Sequence, residues 1–110
     1  MKGTYLGEFE EIVLLAVAIL HEEAYGYAIK YEIQEKTGRT PSLGAVHSAL
    51  HRLEDKGFLV SHLAGATTQR GGKRRRFFSL TNYGIKALEA QRDIRESMWL
   101  SIPKVIFNKG

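Results

Sequence analysis

The segment from Ser42 to Gly57 constrains the fold more than any other part of the chain. Its apolar residues recur at spacings of three and four, as in a helix that buries one face, and they are Leu43, Val46, Leu50 and Leu53. Ser42 is a good N-cap residue, and Gly57 is well placed to end the helix. The opposite face carries hydrogen-bonding side chains. We therefore predict a helix with one apolar face that packs on the rest of the domain and an opposite face of hydrogen-bonding side chains.

Two short segments with strand character follow this helix, at Phe58–Leu63 and Arg75–Leu80. The stretch between them, Ala64–Arg74, is rich in Gly, Thr and basic residues and is predicted to be a flexible hairpin loop. Five cations fall within seven residues at the end of this loop and the start of the second strand, namely Arg70, Lys73, Arg74, Arg75 and Arg76. The pattern predicts a basic hairpin next to the two-faced helix.

Three further helices complete the prediction. The first begins near residues 5–8 and ends at Leu20 or His21, and the second runs from about Tyr25 to Gly38. The apolar run Ile12–Leu20 is preceded by acidic residues, unlike a signal peptide, and falls short of the roughly 20 residues that span a bilayer, so no membrane association is expected. The last helix is predicted at Asn82–Leu100, because Pro103 disfavours helix just before it.

A mainly α fold with a small β-hairpin follows, in the form of a winged helix-turn-helix with a C-terminal dimerisation helix. The 110 residues suffice for one domain. We predict the winged domain at 1–80, the dimerisation helix at 81–102 within the same compact unit, and a tail at 103–110. The absence of cysteine excludes disulfide scaffolds and thiolate chemistry and is compatible with the cytoplasm.

The order of elements and the charge indicate a nucleic-acid partner. The formal net charge is +4, and the cations are concentrated on the predicted wing. In a winged helix-turn-helix the third helix enters the major groove, where base edges are distinguishable. The predicted contacts to bases or nearby phosphates are Ser42, Ala45, His47, Ser48, His51 and Arg52. The wing cations should contact the phosphate backbone and add affinity rather than sequence information.

Several short motifs, in this order and spacing, resemble the PadR-like transcriptional regulators across roughly residues 9–90. They are Tyr25-Gly26-Tyr27, Pro41-Ser42-Leu43-Gly44, Leu50-His51-Arg52-Leu53-Glu54 followed by Gly57, Phe77-Phe78, and Leu80-Thr81 followed by Gly84. The resemblance implies a homodimer of winged domains joined by C-terminal helices, which acts as a repressor relieved by a ligand. The chain departs from the family pattern at His47-Ser48, where Tyr followed by Pro or Thr is common, and at Phe77-Phe78, where Tyr-Tyr is usual.

The last helix carries an apolar stripe formed by Ala87, Leu88, Ile94 and Met98, with Trp99 beside it. This stripe has no evident partner within so small a domain. We therefore predict a dimer interface that contains Leu88, Ile94, Met98 and Trp99. The resemblance also implies that Trp99 lines a pocket for a small, planar, apolar or cationic ligand, since such molecules stack well on indole.

Other function classes find less support in the sequence. His47 and His51 lie four residues apart, but neither His21, Glu54 nor His62 stands at a diagnostic spacing for a third metal ligand. No phosphate-binding loop or nucleophile motif indicates an enzyme, and no cofactor is expected. The main alternative is a winged-helix module that binds protein rather than DNA. The expected location is the cytoplasm, in association with the nucleoid.

Overall fold

The computed structural model describes residues 6–64 and 74–108. In chain order, the described part contains helix α1 (Glu8–Leu20), a 3-10 turn (His21–Glu23), helix α2 (Gly26–Thr37), helix α3 (Leu43–Asp55), strand β1 (Leu59–Ala64), strand β2 (Arg75–Leu80), helix α4 (Asn82–Ser101) and a second 3-10 turn (Lys104–Phe107). The mainly α fold with a β-hairpin is thus confirmed. The second 3-10 turn lies in the segment that was predicted to be a tail.

Local signals account for the helix ends. The Oγ of Ser42 accepts a hydrogen bond from the backbone N–H of Ala45 at 3.0 Å, which caps α3 as predicted. Gly38 and Gly57 follow α2 and α3 with φ of 75° and 84°, in the left-handed region where glycine carries no steric penalty. These two residues direct the chain out of each helix and into the next element.

The hairpin is antiparallel, and its register runs from Leu59 opposite Leu80 to Ala64 opposite Arg75. A third segment joins its edge, because Tyr25 forms an isolated bridge with Phe77 and the Phe78 N–H donates to the Ala24 carbonyl at 2.9 Å. The sequence pattern did not predict this bridge. It attaches the start of α2 directly to the returning strand of the wing.

The core lies between α1, α2, α3 and the base of the hairpin. Its largest fully buried side chains are Phe58, Leu14, Ile29, Ile33, Leu50, Leu53, Leu59, Val13, Val17 and Val46. Every predicted apolar position of α3 except Leu43 is buried, since Leu43 remains half-exposed near the N-terminus of the helix. The core therefore fixes which face of α3 points outward.

The first turn of α4 is fastened to the end of α3. Thr81 caps α4, because its Oγ1 accepts from the Gly84 N–H at 3.0 Å while donating to the Gly57 carbonyl at 2.7 Å. Gly84 lies so close to the Phe58 carbonyl that a Cβ at this position would stand 2.2 Å from that oxygen. The cap hydrogen bond accounts for the spacing of Thr81 and Gly84, and the close approach accounts for glycine at position 84.

The apolar stripe of α4 divides into two parts. Ala87 and Leu88 are half-buried against the domain's own core, which corrects the expectation that the whole stripe lacks an internal partner. Ile94, Met98 and Trp99 are 56, 68 and 64% exposed. Only the first half of α4 therefore packs on the core.

Candidate nucleic-acid interface

The outward face of α3 presents most of the side chains that were predicted to contact DNA. Ser42, Ala45, Ser48, His51 and Arg52 are exposed, whereas His47 is half-buried. The alternation arises because Val46, Leu50 and Leu53 are held in the core on the other side of the helix. The predicted recognition residues are therefore brought together on one surface.

His47 is half-buried because its ring packs against the N-terminus of α2. A Cβ on Gly26 would come within 2.9 Å of the His47 Nε2, so the absence of a side chain at Gly26 makes room for the imidazole. Leu43 lies beside the same position, at 3.5 Å from such a Cβ. Gly26 thus sets how closely the N-terminus of α2 approaches the N-terminal half of α3.

Arg52 is paired with a buried carboxylate and is also exposed to solvent. Its Nε donates to the Glu10 Oε2 at 2.9 Å, while 53% of its side chain remains exposed. Glu10 itself is only 6% exposed and also accepts from the Gly7 N–H and from the Lys56 Nζ, each at 2.9 Å. Burial raises the carboxyl pKa of Glu10, but these hydrogen bonds and the nearby cations outweigh that effect and leave the pKa below its ordinary value of 4.5.

The described part of the basic cluster lies at the base of the wing. Arg74, Arg75 and Arg76 are exposed, and the other two predicted wing cations, Arg70 and Lys73, lie outside the described residues. The Arg75 guanidinium stands 4.1 Å from the centre of the Tyr25 ring, in a cation–π contact. The Arg76 Nη1 donates to the Ser61 Oγ at 3.0 Å on the paired strand.

A groove of about 450 Å³ joins these two regions. It is lined by Tyr25, Gly26, Tyr27, Leu43, His47, Arg74, Arg75 and Arg76. The N-terminal end of α3 and the arginines of the wing therefore face the same concave surface. Sequence reasoning did not assign Tyr25 and Tyr27 to the interface, although the Tyr25-Gly26-Tyr27 motif was the signal that could have indicated them.

Two other kinds of site were sought among the described residues. No group of three or more His, Asp or Glu side chains could hold a metal ion in the described part of the chain, and His47 and His51 have no third ligand there. Across the same residues, no helix is long and apolar enough to cross a membrane.

The sequence from residue 14 to residue 90 matches the family described as "Transcriptional regulator PadR-like family". The chain belongs to this family. Its members are transcriptional regulators, and the fold is that of a DNA-binding winged helix. Among curated proteins, no sequence matches the chain.

Solved structures support the family and the fold. A PadR family transcription regulator from Clostridium difficile R20291 is 33% identical with a TM-score of 0.62, over 88% of this chain and 95% of that one. A transcriptional regulator from Clostridium thermocellum is 28% identical with a TM-score of 0.66, over 90 and 89% of the two chains. A PadR-like regulator from Bacillus cereus is 17% identical with a TM-score of 0.71, over 89 and 90%.

Proposed function

We propose that this PadR-like regulator is a sequence-specific repressor that binds a palindromic operator as a homodimer. The observation that carries the proposal is the shared groove, in which the N-terminal end of α3 meets the arginines at the base of the wing. A helix fits the major groove of B-form DNA, which is about 12 Å wide. With α3 seated there, the adjacent Arg74–Arg76 segment reaches the neighbouring phosphates.

The two parts of the interface have different roles in the proposal. Ser42, Ala45, His47, Ser48, His51 and Arg52 contact bases or adjacent phosphates. The wing residues Arg70, Lys73, Arg74, Arg75 and Arg76 neutralise phosphates and release condensed counterions, which supplies affinity that depends on salt. The His47 ring packs on Gly26, so it has less rotational freedom than a fully exposed side chain.

Dimerisation uses the exposed half of α4. Ile94, Met98 and Trp99 supply the apolar surface, and Leu88 borders it from the half-buried side. In such a dimer the two recognition helices enter successive major grooves, with half-sites roughly 34 Å apart. A protein that acts on chromosomal DNA in this way works in the cytoplasm, in association with the nucleoid.

Relief of repression by a ligand is the third part of the proposal. Trp99 lines a groove of about 530 Å³ between α1 and α4, together with Leu15 and Leu88. The other lining residues are charged: Glu11, which pairs with Arg95, and Glu89, Arg92 and Glu96. The indole can stack on a planar, apolar or cationic molecule, and Glu89 and Glu96 can offer a cationic one negative charge. Quenching of the Trp99 emission by such molecules, with release of bound DNA, tests this part.

Selection of bound duplexes from a random pool tests the proposal as a whole, since it reports binding, symmetry and base preference together. We expect a palindromic site. Replacing Arg74 and Arg76 with Ala should then weaken binding to all duplexes and reduce its salt dependence, whereas His47→Ala or Ser48→Ala should change the preferred site. A chain that showed no salt-dependent binding to duplex DNA would be a protein-interaction module instead.

A further inference from the structure

The first turn of α1 contains a carboxylate with an unusual set of partners. Glu10 is almost completely buried, and its two oxygens receive the Gly7 N–H, the Arg52 Nε and the Lys56 Nζ. Two of these three donors belong to the recognition helix and its cap, 42 and 46 residues away along the chain. As an acidic residue in the first turn of α1, Glu10 also lies near the positive end of the helix dipole.

Arg52 is bound to this carboxylate through one side of its guanidinium. Its Nε donates to Glu10, and within residues 6–64 and 74–108 its two terminal nitrogens form no hydrogen bond. These nitrogens are the ones that can bind a phosphate in the fork geometry of arginine. Half of the Arg52 side chain is exposed on the outward face of α3. Its Nε is therefore fixed by Glu10, while its terminal nitrogens remain available to a ligand.

We propose that Glu10 is a positioning residue for DNA binding, which fixes the Arg52 guanidinium so that its terminal N–H groups are already directed at a DNA phosphate. The inference rests on the proposed function, since it requires α3 to be the recognition helix. Its physical basis is entropy: a free arginine loses rotamer freedom on binding, and a guanidinium already held at Nε loses less of it.

The neighbouring carboxylates show that this arrangement is particular to Glu10. Glu11 pairs with Arg95 on α4, and Glu8 pairs with Arg39 beyond the end of α2. Neither binds α3. Glu8 is therefore a matched control, because it lies in the same helical turn and has an arginine partner outside the recognition helix.

The test uses the selected operator and the charge-preserving variant Glu10→Asp, which shortens the side chain by one methylene. We expect Glu10→Asp to weaken operator binding on the order of fivefold, as one immobilised side chain is released. The same substitution in an Arg52→Ala background should have no further effect. Glu8→Asp should leave operator affinity unchanged, and thermal unfolding should verify that each variant is folded.

An equal loss of affinity from Glu10→Asp with and without Arg52 would overturn the proposal, because the effect would then pass through the fold alone. If Glu10→Asp does not fold, the variant Arg52→Lys serves as the test instead, because Arg52 is an exposed residue. Lysine keeps the charge but has no Nε and fork to bind Glu10 and phosphate together, so we expect a similar loss. Wild-type affinity in Arg52→Lys and Arg52→Ala would also overturn the proposal, whereas failure of the wild-type protein to bind DNA would overturn the proposed function itself.

Discussion

The two halves of α4 belong to one continuous helix but differ in what surrounds them. In the first half, Gly84 is buried against the Phe58 carbonyl, and Ala87 and Leu88 pack on the core. In the second half, from residue 92 to residue 101, every side chain is exposed, including Ile94, Met98 and Trp99. Helical hydrogen bonds run through both halves, so helix formation and tertiary packing are separate properties of this segment.

The difference between the two halves shows that packing against the domain core stops part-way along α4. The protein measures 61 Å along its longest axis and 21 Å along its shortest. Apolar surface on the second half of α4 continues into the exposed Val105, Ile106 and Phe107, and the Phe107 ring stacks on Trp99 with centroids 6.3 Å apart. Contiguous exposed apolar surface of this kind marks an interaction site, whereas single exposed apolar side chains do not.

The largest effect is expected from removing the second half of α4. Deletion of the residues after Arg92 should abolish the dimer while the winged domain stays folded, because the core contacts of α4 lie before that point. Sedimentation velocity and circular dichroism measure the two properties. A shortened chain that sediments as the same dimer would place the interface elsewhere.

A point substitution sharpens this test. Trp99→Ala should weaken the dimer, whereas Tyr31→Ala removes an aromatic side chain of similar exposure, 58% against 64%, from α2 and should leave the dimer intact. Equal weakening by both variants would indicate a general loss of apolar surface rather than an interface on α4.

A smaller effect is expected in the first half of α4, from Gly84→Ala. The added Cβ would stand 2.2 Å from the Phe58 carbonyl oxygen, so α4 must shift, and we expect unfolding free energy to fall by about 2–3 kcal/mol. Gly44→Ala on α3 is the matched control. Its Cβ would meet only the Ser42 Oγ at 3.9 Å, and there alanine should stabilise by about 0.5–1 kcal/mol. Chemical denaturation measures both; equal effects would contradict the role of close packing.

The sequence predicted what depends on neighbouring residues. The ends of α3, the strand positions and the start of α4 follow from periodicity, from Ser42 and Thr81 as caps, and from Gly57 as a terminator. The features that it did not predict join distant segments: the bridge between Tyr25 and Phe77, and the burial of Glu10 under α3. The packing of Leu88 on the domain core was not predicted for the same reason, because local sequence patterns do not show which part of a helix contacts the core.

The smallest effect concerns pH, and it is expected in the packed domain rather than in the exposed half of α4. Burial raises the pKa of the Glu10 carboxyl, but hydrogen bonds from Gly7, Lys56 and Arg52 lower it further, so its folded pKa lies below 4.5. A depressed carboxyl pKa contributes stability that is complete above the unfolded value and is lost as pH falls through the folded value. Unfolding free energy should therefore decline below pH 4.5. Glu10→Gln should flatten that decline and should also lower the stability at neutral pH.

The control for this prediction is Glu22→Gln, which makes the same change at an exposed carboxylate. An equal flattening in that control would assign the acid sensitivity to net charge, and the packed domain would then not depend on the ionised Glu10.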